Sequence, residues 1–387
     1  MTHSSQQAKG SLVIIGGALR VDNAVVWERI VQLAGGRGAR IAVFPSAAGN
    51  PERSAVLTMQ SLERYGAQAF MVPVAVKLKD SDYQAAANDP ALAEQVRTAA
   101  GAYFVGGDQG RITQALVRPD GSRSLVLDAV WDMYCAGGVI AGSSAGAAVM
   151  SAHMIYDAAV LPVLKQGVAD GKEIAPGLGF IGPEVFVDQH LIVRGRFARM
   201  IPAMLKKGYK TGLGIDENTA MVIHNGRDVE IIGYKGAVLV DLSQAGSDPG
   251  CKEFNISNVR LSYLDSGDKY DFLTKVLTPS ADKLDGRLEL GPPYCEGSRF
   301  YPDILANTTL VDLMQTLADS RQQQAIGLAF GGPEEIMPEL GFEFTFSKTA
   351  DSAGFFSNVS GADAYTVLNI RLDVRPVQMQ LPLYRHQ

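Results

Sequence analysis

Short apolar runs alternate with amphipathic helical patterns through residues 10–141, and this alternation limits the possible folds more than any other feature of the chain. The predicted strands lie at 12–15, 40–44, 67–74, 102–105 and 138–141. The predicted helices begin after the capping residue Asn23 and at 51–65, 91–99 and 123–135. Strands that are apolar throughout and alternate with helices are typical of a parallel sheet covered on both faces. We therefore expect an α/β fold with a doubly wound parallel sheet.

Beyond residue 211 the pattern changes to shorter, alternating strands at 219–224, 228–233 and 237–242. Asn225-Gly226 lies between the first two of them and is a strong signal for a hairpin turn. We place the end of the larger domain near residue 275, so that it spans residues 10–275.

Residues 276–387 are predicted to form a small C-terminal α+β appendage. A loop-rich stretch at 278–302 precedes a helix at 310–318 and two strands at 341–347 and 365–374. Three roles are open for this extension: covering a pocket, forming an oligomer contact such as that of a homodimer, or adding stability.

Composition and charge exclude several classes of partner. The 387 residues are 47% apolar and carry a net charge of −6, without a long run of Lys or Arg. Nucleic acid and an anionic membrane are therefore not expected partners. No apolar stretch approaches the roughly 18 residues that a membrane span needs, and the polar start lacks the core of a signal sequence. We expect a cytoplasmic protein.

The three cysteines, Cys135, Cys251 and Cys295, lie far apart and show no CxxC spacing. An odd number without a cluster argues against a disulfide framework and against a cysteine zinc site. Gly16-Gly17 and Gly106-Gly107 fit neither a dinucleotide-binding fingerprint nor a P-loop, so a nucleotide-binding protein is not favoured.

Three predicted strands end in glycine-rich or polar residues, at 16–17, 106–109 and 142–144. Ligands of parallel sheets bind beyond the carboxyl ends of the strands. The third strand end belongs to Gly142-Ser143-Ser144-Ala145-Gly146, which fits the G-x-S-x-G pattern. A serine on such a strand-to-helix turn is exposed, and the next helix offers free N–H groups and a positive dipole end to an oxyanion. Ser144 is the candidate nucleophile; the alternative is tight packing of strand and helix.

A serine nucleophile needs a base, and elimination among the histidines favours His190. His3 and His386 lie near the termini, and His153 follows the nucleophile too closely to fold back easily. His224 ends a strand at a hairpin turn, whereas His190 lies at the tip of an extended run.

The base in turn needs a carboxylate that fixes its tautomer. Asp216 and Glu217 follow a short predicted strand at 213–215, and Asp157 is the rival closer to Ser144. The pattern alone does not separate these candidates.

Three arginines, Arg194, Arg196 and Arg199, follow His190 closely. Guanidinium groups bind carboxylates in a fixed, two-pronged geometry, so beside an active site they indicate an acidic substrate. The alternative is a solvated basic face.

Taken together, four motifs in this order resemble those of the cyanophycinase family, which is related to peptidase E. The motifs are Gly106-Gly107-Asp108-Gln109, Gly142-Ser-Ser-Ala-Gly146, Asp188-Gln189-His190 with its trailing arginines, and Gly214-Ile-Asp-Glu-Asn218. The resemblance covers residues 10–275 and implies a class I glutamine amidotransferase-like fold. The order Ser, His, Glu along the chain also differs from that of α/β-hydrolases.

The resemblance implies a catalytic triad of Ser144, His190 and Glu217, with Glu217 ahead of Asp157 as the orienting carboxylate. The serine would attack the amide carbonyl while the imidazole takes its proton, and water would later release the acyl group. This chemistry needs no metal and no organic cofactor.

The resemblance also implies an oxyanion hole formed by the backbone N–H of Ala145 and that of Asp108 or Gly107. The residues expected to shape the substrate pocket are Gln109, Asp188, Gln189, Arg194, Arg196 and Arg199. The chain departs from the family in having Ser143 where Thr is common and in carrying the long extension after residue 275.

The implied substrate is cyanophycin, a poly-aspartate that carries arginine on each side-chain carboxyl, and the implied product is the β-Asp-Arg dipeptide. One alternative is an aspartyl or isoaspartyl dipeptidase of the peptidase E type, with the same triad and a tighter pocket. A second alternative is a catalytically inactive domain that binds an anion or a partner, although such a domain would not need all three triad residues.

Overall fold

The structure is a computed structural model that describes residues 10–288 and 297–382. His3, His386, Cys295 and part of the loop-rich stretch at 278–302 lie outside the described residues. The strands are β1 Ser11–Ile15, β2 Arg40–Phe44, β3 Gln68–Met71, β4 Gly101–Phe104, β5 Val139–Ser143, β6 His153–Ile155, β7 Ile174–Pro176, β8 Val185–Gln189, β9 Thr211–Ile215, β10 Thr219–His224, β11 Asp228–Gly233, β12 Ala237–Asp241, β13 Ile256–Leu264, β14 Lys269–Asp271, β15 Leu277–Thr278, β16 Phe300–Tyr301, β17 Gln324–Ala329, β18 Leu340–Ser347, β19 Ala353–Ser357 and β20 Ala364–Gln378.

The helices are α1 Ala24–Leu33, α2 Pro51–Arg64, α3 Tyr83–Ala87, α4 Pro90–Arg97, α5 Gln109–Leu116, α6 Leu125–Cys135, α7 Ala145–Ala148, α8 Val160–Gln166, α9 Phe197–Lys207 and α10 Thr309–Ala318. A short 3-10 helix spans Ala281–Gly286. Pro51 and Pro90 each occupy the first turn of a helix, where the missing N–H costs no hydrogen bond.

The first sheet has the strand order β15-β14-β11-β10-β1-β5-β4-β2-β3. Neighbouring strands from β1 to β3 run parallel, and those from β1 to β15 pair antiparallel. Successive residues of β1 enter different cores, since Leu12 and Ile14 pack in one cluster and Val13 and Ile15 in the other. Helices α1 and α2 cover the second of these faces, and α4 to α7 cover the first. The predicted α/β class with helices on both faces is confirmed.

The ends of the central strands coincide at one edge of this sheet. Ile15 pairs with Ser143 across β1 and β5, and Phe104 pairs with Gly142 across β4 and β5. Because these strands are parallel, the residues that follow them emerge side by side. The three glycine-rich or serine-containing strand ends therefore meet at this edge.

A second sheet has the strand order β16-β17-β18-β20-β13-β12-β9-β8, with β19 paired to β20, and β6 and β7 form a separate two-stranded sheet. Strands β8 and β9 run parallel, with Gln189 opposite Ile215, so that residues 190 and 216 leave the sheet together. Strands β16 to β20, all after residue 275, belong to this second sheet, since β20 pairs with β13, whereas β15 joins the first sheet. A boundary at residue 275 therefore falls between strands that share one sheet, and the division into domains stays a prediction.

Two departures from the predicted elements have clear physical reasons. Strand β3 is shorter than the predicted 67–74, because it is an edge strand with only β2 as a neighbour. The sequence pattern predicts no strand at β13, where shifts in the pairing with β20 between Ile256 and Val259 and again between Leu261 and Tyr263 break the alternation.

Candidate active site

Ser144 occupies the turn between β5 and α7 with φ 54° and ψ −108°, a backbone conformation that non-glycine residues rarely adopt. The flanking glycines allow the turn to pack tightly against its neighbours. A Cβ atom at Gly142 would lie 2.3 Å from the carbonyl oxygen of Gly146, and one at Gly146 would lie 2.2 Å from that of Phe104. The four-residue length of α7 means that individual N–H groups, rather than the expected helix dipole, act on the serine.

His190 follows β8 directly, and its Nε2 atom lies 2.8 Å from Oγ of Ser144. Its backbone N–H donates to the carbonyl oxygen of Gly16 at 2.9 Å, which ties the end of β8 to the end of β1. The ring is almost fully buried, with 8% of the side chain exposed. This arrangement can transfer a proton between the hydroxyl and the imidazole.

Glu217 lies in the turn between β9 and β10, and its Oε1 atom is 2.6 Å from Nδ1 of His190. Asp216 is buried and points elsewhere: it accepts a hydrogen bond from the N–H of Val193 at 3.2 Å and pairs with Lys235 at 3.5 Å. Asp157 is exposed. Of the three candidate carboxylates, Glu217 is the one that the fold brings to the imidazole.

Burial of the His190 ring lowers its pKa below the ordinary value of 6.5, because desolvation disfavours the charged form. The hydrogen bond to Glu217 acts in the opposite direction, while the charges of Arg194 and Arg196 lower the pKa further. The imidazole is therefore neutral at neutral pH, which is the state that can accept a proton.

The expected oxyanion donors differ in their availability. The N–H of Asp108 donates to the carbonyl oxygen of Ala47 at 2.9 Å, and its carboxylate caps α5 through the N–H of Gly110 at 2.9 Å. Among the described residues, the N–H groups of Gly107 and Ala145 have no such acceptor. This arrangement departs from Asp108 as a donor and favours the other expected pair, Gly107 and Ala145.

Gln109, Gln189 and Arg196 hold the chain around the site. The side-chain amide of Gln109 donates to the carbonyl oxygens of Ile155 and Tyr156 at 2.8 and 2.7 Å. Arg196 donates from Nη1 to both the backbone and the side-chain oxygen of Gln189, at 2.9 and 2.8 Å. The pKa of Arg196 is lowered to about 10, mainly because the guanidinium is buried and secondly because the positive charge of Arg199 lies nearby.

Asp188 and Arg199 form a buried, two-pronged ion pair with two contacts of 2.9 Å. The third nitrogen of the guanidinium donates to the carbonyl oxygen of Ala158. Both side chains are at most 5% exposed. The pair joins β8 to α9 and occupies the donors of the guanidinium, so Arg199 and Asp188 can shape the pocket through the backbone that they hold, and their role in substrate binding stays a prediction.

Arg194 is different from the other two arginines, since its side chain is 52% exposed. Its Nη2 atom lies 4.0 Å from Oε1 of Glu217. Of the three arginines, it is therefore the one whose guanidinium can meet a substrate carboxylate beside the triad.

The sequence does not predict the hydrogen bonds that hold Asn218, the residue that follows Glu217. The side-chain amide of Asn23 donates to the backbone and side-chain oxygens of Asn218 at 3.0 and 2.9 Å. Asn23 stands before α1 as predicted, but its side chain makes no capping hydrogen bond. In the sequence, the one signal for a role of Asn218 is its place in the motif at 214–218. Its hydrogen-bond partner Asn23 is distant in sequence, so no local pattern predicts the contact.

Two kinds of feature are absent from the described ranges, 10–288 and 297–382. No group of three or more His, Cys, Asp and Glu side chains is arranged to hold a metal ion. None of the helices in these ranges combines the length and apolar character that crossing a membrane demands.

The chain is similar in sequence to known peptidases. A family model described as Peptidase family S51 matches residues 12–232. The curated protein "Cyanophycinase" of Geminocystis herdmanii (strain PCC 6308) is 31% identical over 277 residues, which are 69% of this chain and 95% of the relative. That of Trichormus variabilis (strain ATCC 29413 / PCC 7937) is 28% identical, covering 72% of this chain and 91% of the relative. That of Synechococcus elongatus is 30% identical, covering 70% and 82%.

One solved structure, a peptidase from an acI-B1 Actinobacterium, matches with a TM-score of 0.49 and 22% identity over 69% of this chain and 98% of that chain. A similarity at this level says nothing about the reaction.

Proposed function

This chain belongs to peptidase family S51 and is a serine peptidase, and we propose that it is an exopeptidase that hydrolyses cyanophycin to β-Asp-Arg dipeptides. The observation that carries the proposal is the unbroken chain of contacts from Ser144 through His190 to Glu217, at 2.8 and 2.6 Å. The substrate is supported by the relatives named cyanophycinase, which match over two thirds of the chain.

In the proposed mechanism Oγ of Ser144 attacks the carbonyl carbon of the bond between two aspartates, and Nε2 of His190 accepts the hydroxyl proton. Glu217 holds the ring through Nδ1 and stabilises the imidazolium that forms. The protonated ring then donates to the leaving amine, the C–N bond breaks, and an acyl-enzyme remains. Water activated by the same imidazole then attacks the acyl-enzyme, releases the acyl group and restores the serine, so that β-Asp-Arg is one of the two fragments formed.

The tetrahedral oxyanion would be held by the backbone N–H groups of Gly107 and Ala145. Each such donor stabilises a transition state by about 3–4 kcal/mol in serine peptidases. Both groups lack an acceptor among the described residues, so they need not break a hydrogen bond before the reaction.

Arg194 would bind a carboxylate of the substrate. In cyanophycin each arginine is joined through its α-amino group, so its α-carboxylate and its guanidinium remain free. The exposed guanidinium of Arg194, close to Glu217, supports this role.

The proposal is tested by incubating the protein with purified cyanophycin and identifying the released product by mass, with short α- and β-aspartyl dipeptides assayed in parallel. We expect β-Asp-Arg from the polymer. Turnover of the dipeptides without release from the polymer would instead identify an aspartyl or isoaspartyl dipeptidase.

The role of the serine is tested by Ser144→Ala, with Ser143→Ala as the matched control one residue earlier. We expect the first variant to lose turnover about 10,000-fold or more while it stays folded. The control should retain most of its activity. Undiminished turnover in Ser144→Ala would refute the triad, whereas absence of turnover in the wild type would favour the inactive-domain alternative.

A further inference from the structure

A cleft of about 510 Å³ opens beside Arg194, between α8 and the C-terminal extension. We call it the α8 cleft. It adjoins the proposed active site, because Arg194 lines the cleft while its Nη2 atom lies 4.0 Å from Glu217. One wall of the cleft comes from the part of the chain that follows the family match at 12–232.

The extension is attached firmly along this cleft. A Cβ atom at Gly195 would lie 2.5 Å from the carbonyl oxygen of Leu305, so the backbone of the extension packs directly on the residue that follows Arg194. On the other side, Nζ of Lys165 donates to the carbonyl oxygens of Ile336 and Met337, both at 2.9 Å. The two walls are therefore held at a defined separation by contacts that leave the cleft open.

The ammonium group of Lys165 also lines the α8 cleft, but it is engaged with the two carbonyl oxygens of the extension. The rest of the lining has three chemically distinct parts. Val160 and Leu161 of α8 form an apolar surface together with Leu305 of the extension. Arg194 supplies a positive charge at the side next to the active site.

The extension adds Glu334 and Glu335, which are both exposed and lack an ion-pair partner among the described residues. The extension also contributes Ile336, a large apolar residue that is 61% exposed.

We propose that the α8 cleft is a subsite that the C-terminal extension builds for the arginine side chain of the substrate; this inference rests on the proposed function. Arg194 binds the α-carboxylate of the substrate arginine. The three methylene groups pack on the apolar surface, and Glu334 and Glu335 bind the guanidinium. A group with a carboxylate at one end, an aliphatic stem and a cation at the other matches all three parts of the cleft.

The charge pattern favours this occupant over other acidic peptides. Aspartyl carboxylates alone would satisfy Arg194 but would meet repulsion from Glu334 and Glu335. A guanidinium is the cation that pairs with carboxylates through two parallel hydrogen bonds and also packs on apolar surface through its flat face.

The test compares two short oligomers of β-Asp-Arg units that differ in one group: in the second, citrulline replaces arginine, so a neutral urea replaces the guanidinium. Wild type and the double variant Glu334→Gln/Glu335→Gln are assayed on both. The exposed Glu339→Gln, outside the cleft, is the matched control. We expect wild type and control to prefer arginine about 10-fold in kcat/KM, and the double variant to lose that preference.

The preference is a ratio measured on one protein sample, so a partly unfolded variant does not change it. An equal preference in wild type and double variant, or no preference in wild type, overturns the subsite. A preference that persists undiminished at about 1 M salt also overturns it, because exposed charge pairs are screened there. Failure of wild type to cleave both the oligomers and cyanophycin would instead overturn the proposed function.

Discussion

The imidazole of His190 lies so close to the backbone of Gly17 that a Cβ atom at position 17 would be 2.2 Å from Cε1 and 2.4 Å from Nε2 of the ring. Gly17 has φ 113°, and its carbonyl oxygen accepts the N–H of Asn218 at 2.8 Å. Gly17, the second residue after β1, thus contacts the ring on one side and supports the turn that carries Glu217 on the other. A small residue is required there for the imidazole to reach Ser144.

Gly17→Ala should displace the ring, since the methyl group and the imidazole cannot occupy the same space. We expect kcat to fall by about 100-fold or more, the loss associated with a misplacement of about 1 Å. Gly35→Ala is the matched control: its φ is 103°, but nothing lies within 4 Å of the added Cβ. Both variants carry a backbone cost of about 1–2 kcal/mol, so only the contact with His190 separates them. Normal kcat in Gly17→Ala would contradict the proposed position of the base.

The pH profile of kcat/KM should report the protonation of His190. Activity is expected to rise with pH as the imidazole loses its proton, with the inflection below 6.5 because burial lowers this pKa. Glu217→Gln removes a contribution that raises the pKa, so the inflection should move to lower pH. Arg194→Gln removes a positive charge that lowers it, so the inflection should move to higher pH. The profiles are measured between pH 4 and 9, at those pH values where the protein stays folded. If the inflections of both variants moved in the same direction, the assignment of the inflection to His190 would be contradicted.

Asn23→Ala should lower kcat about 10-fold with little change in KM, because the turn at 216–218 loses two hydrogen bonds from a buried donor. Asn23 does not touch the triad, so it is a positioning residue. Ser124→Ala is the control: Ser124 is equally buried and caps α6 through the N–H of Leu127 at 3.2 Å. Its loss should cost about 1 kcal/mol of stability without an effect on kcat.

A purely structural role for Asn23 would lower the stability of both variants alike and leave kcat unchanged in both. Measurement of kcat, KM and the midpoint of urea unfolding on each variant separates the two outcomes.

A buried ion pair ties the extension to the loop between β13 and β14. Lys283 and Asp268 are both fully buried, with Nζ 2.7 Å from Oδ1. Asp268 also accepts hydrogen bonds from the N–H of Ser280 at 2.9 Å and the hydroxyl of Thr366 at 2.6 Å. Its carboxylate therefore joins chain segments on both sides of residue 275.

Lys283→Met should lower the free energy of unfolding by about 3–5 kcal/mol, because it leaves a carboxylate buried without its counter-charge. Lys269→Met, at an exposed position on β14, should change it by at most about 0.5 kcal/mol. Urea unfolding followed by circular dichroism measures both. Equal stability of the two variants would show that Asp268 finds other compensation.

Several strands could be predicted with their exact bounds from local sequence patterns. Strands β2, β10 and β11 begin and end at the predicted residues, since apolar runs between turn residues determine them locally. The residues at 144, 190 and 217 are neighbours in the structure, and their catalytic roles stay a prediction until the variants are measured. The arginines show the limit: the identical residue type at 194 and 199 is exposed in one case and buried in the other.

The sequence by itself determined the α/β class, the glycine-serine turn at residue 144 and the family, because these depend on residue spacing along the chain. Only the tertiary structure decided which carboxylate meets His190, which arginine is exposed beside the triad, and that the Asn23 side chain is hydrogen-bonded to Asn218. It also decided that residues after 275 continue a sheet and line a cleft beside Arg194. Those features join residues that are distant in sequence, and their contacts depend on strand order and register, which no local pattern encodes.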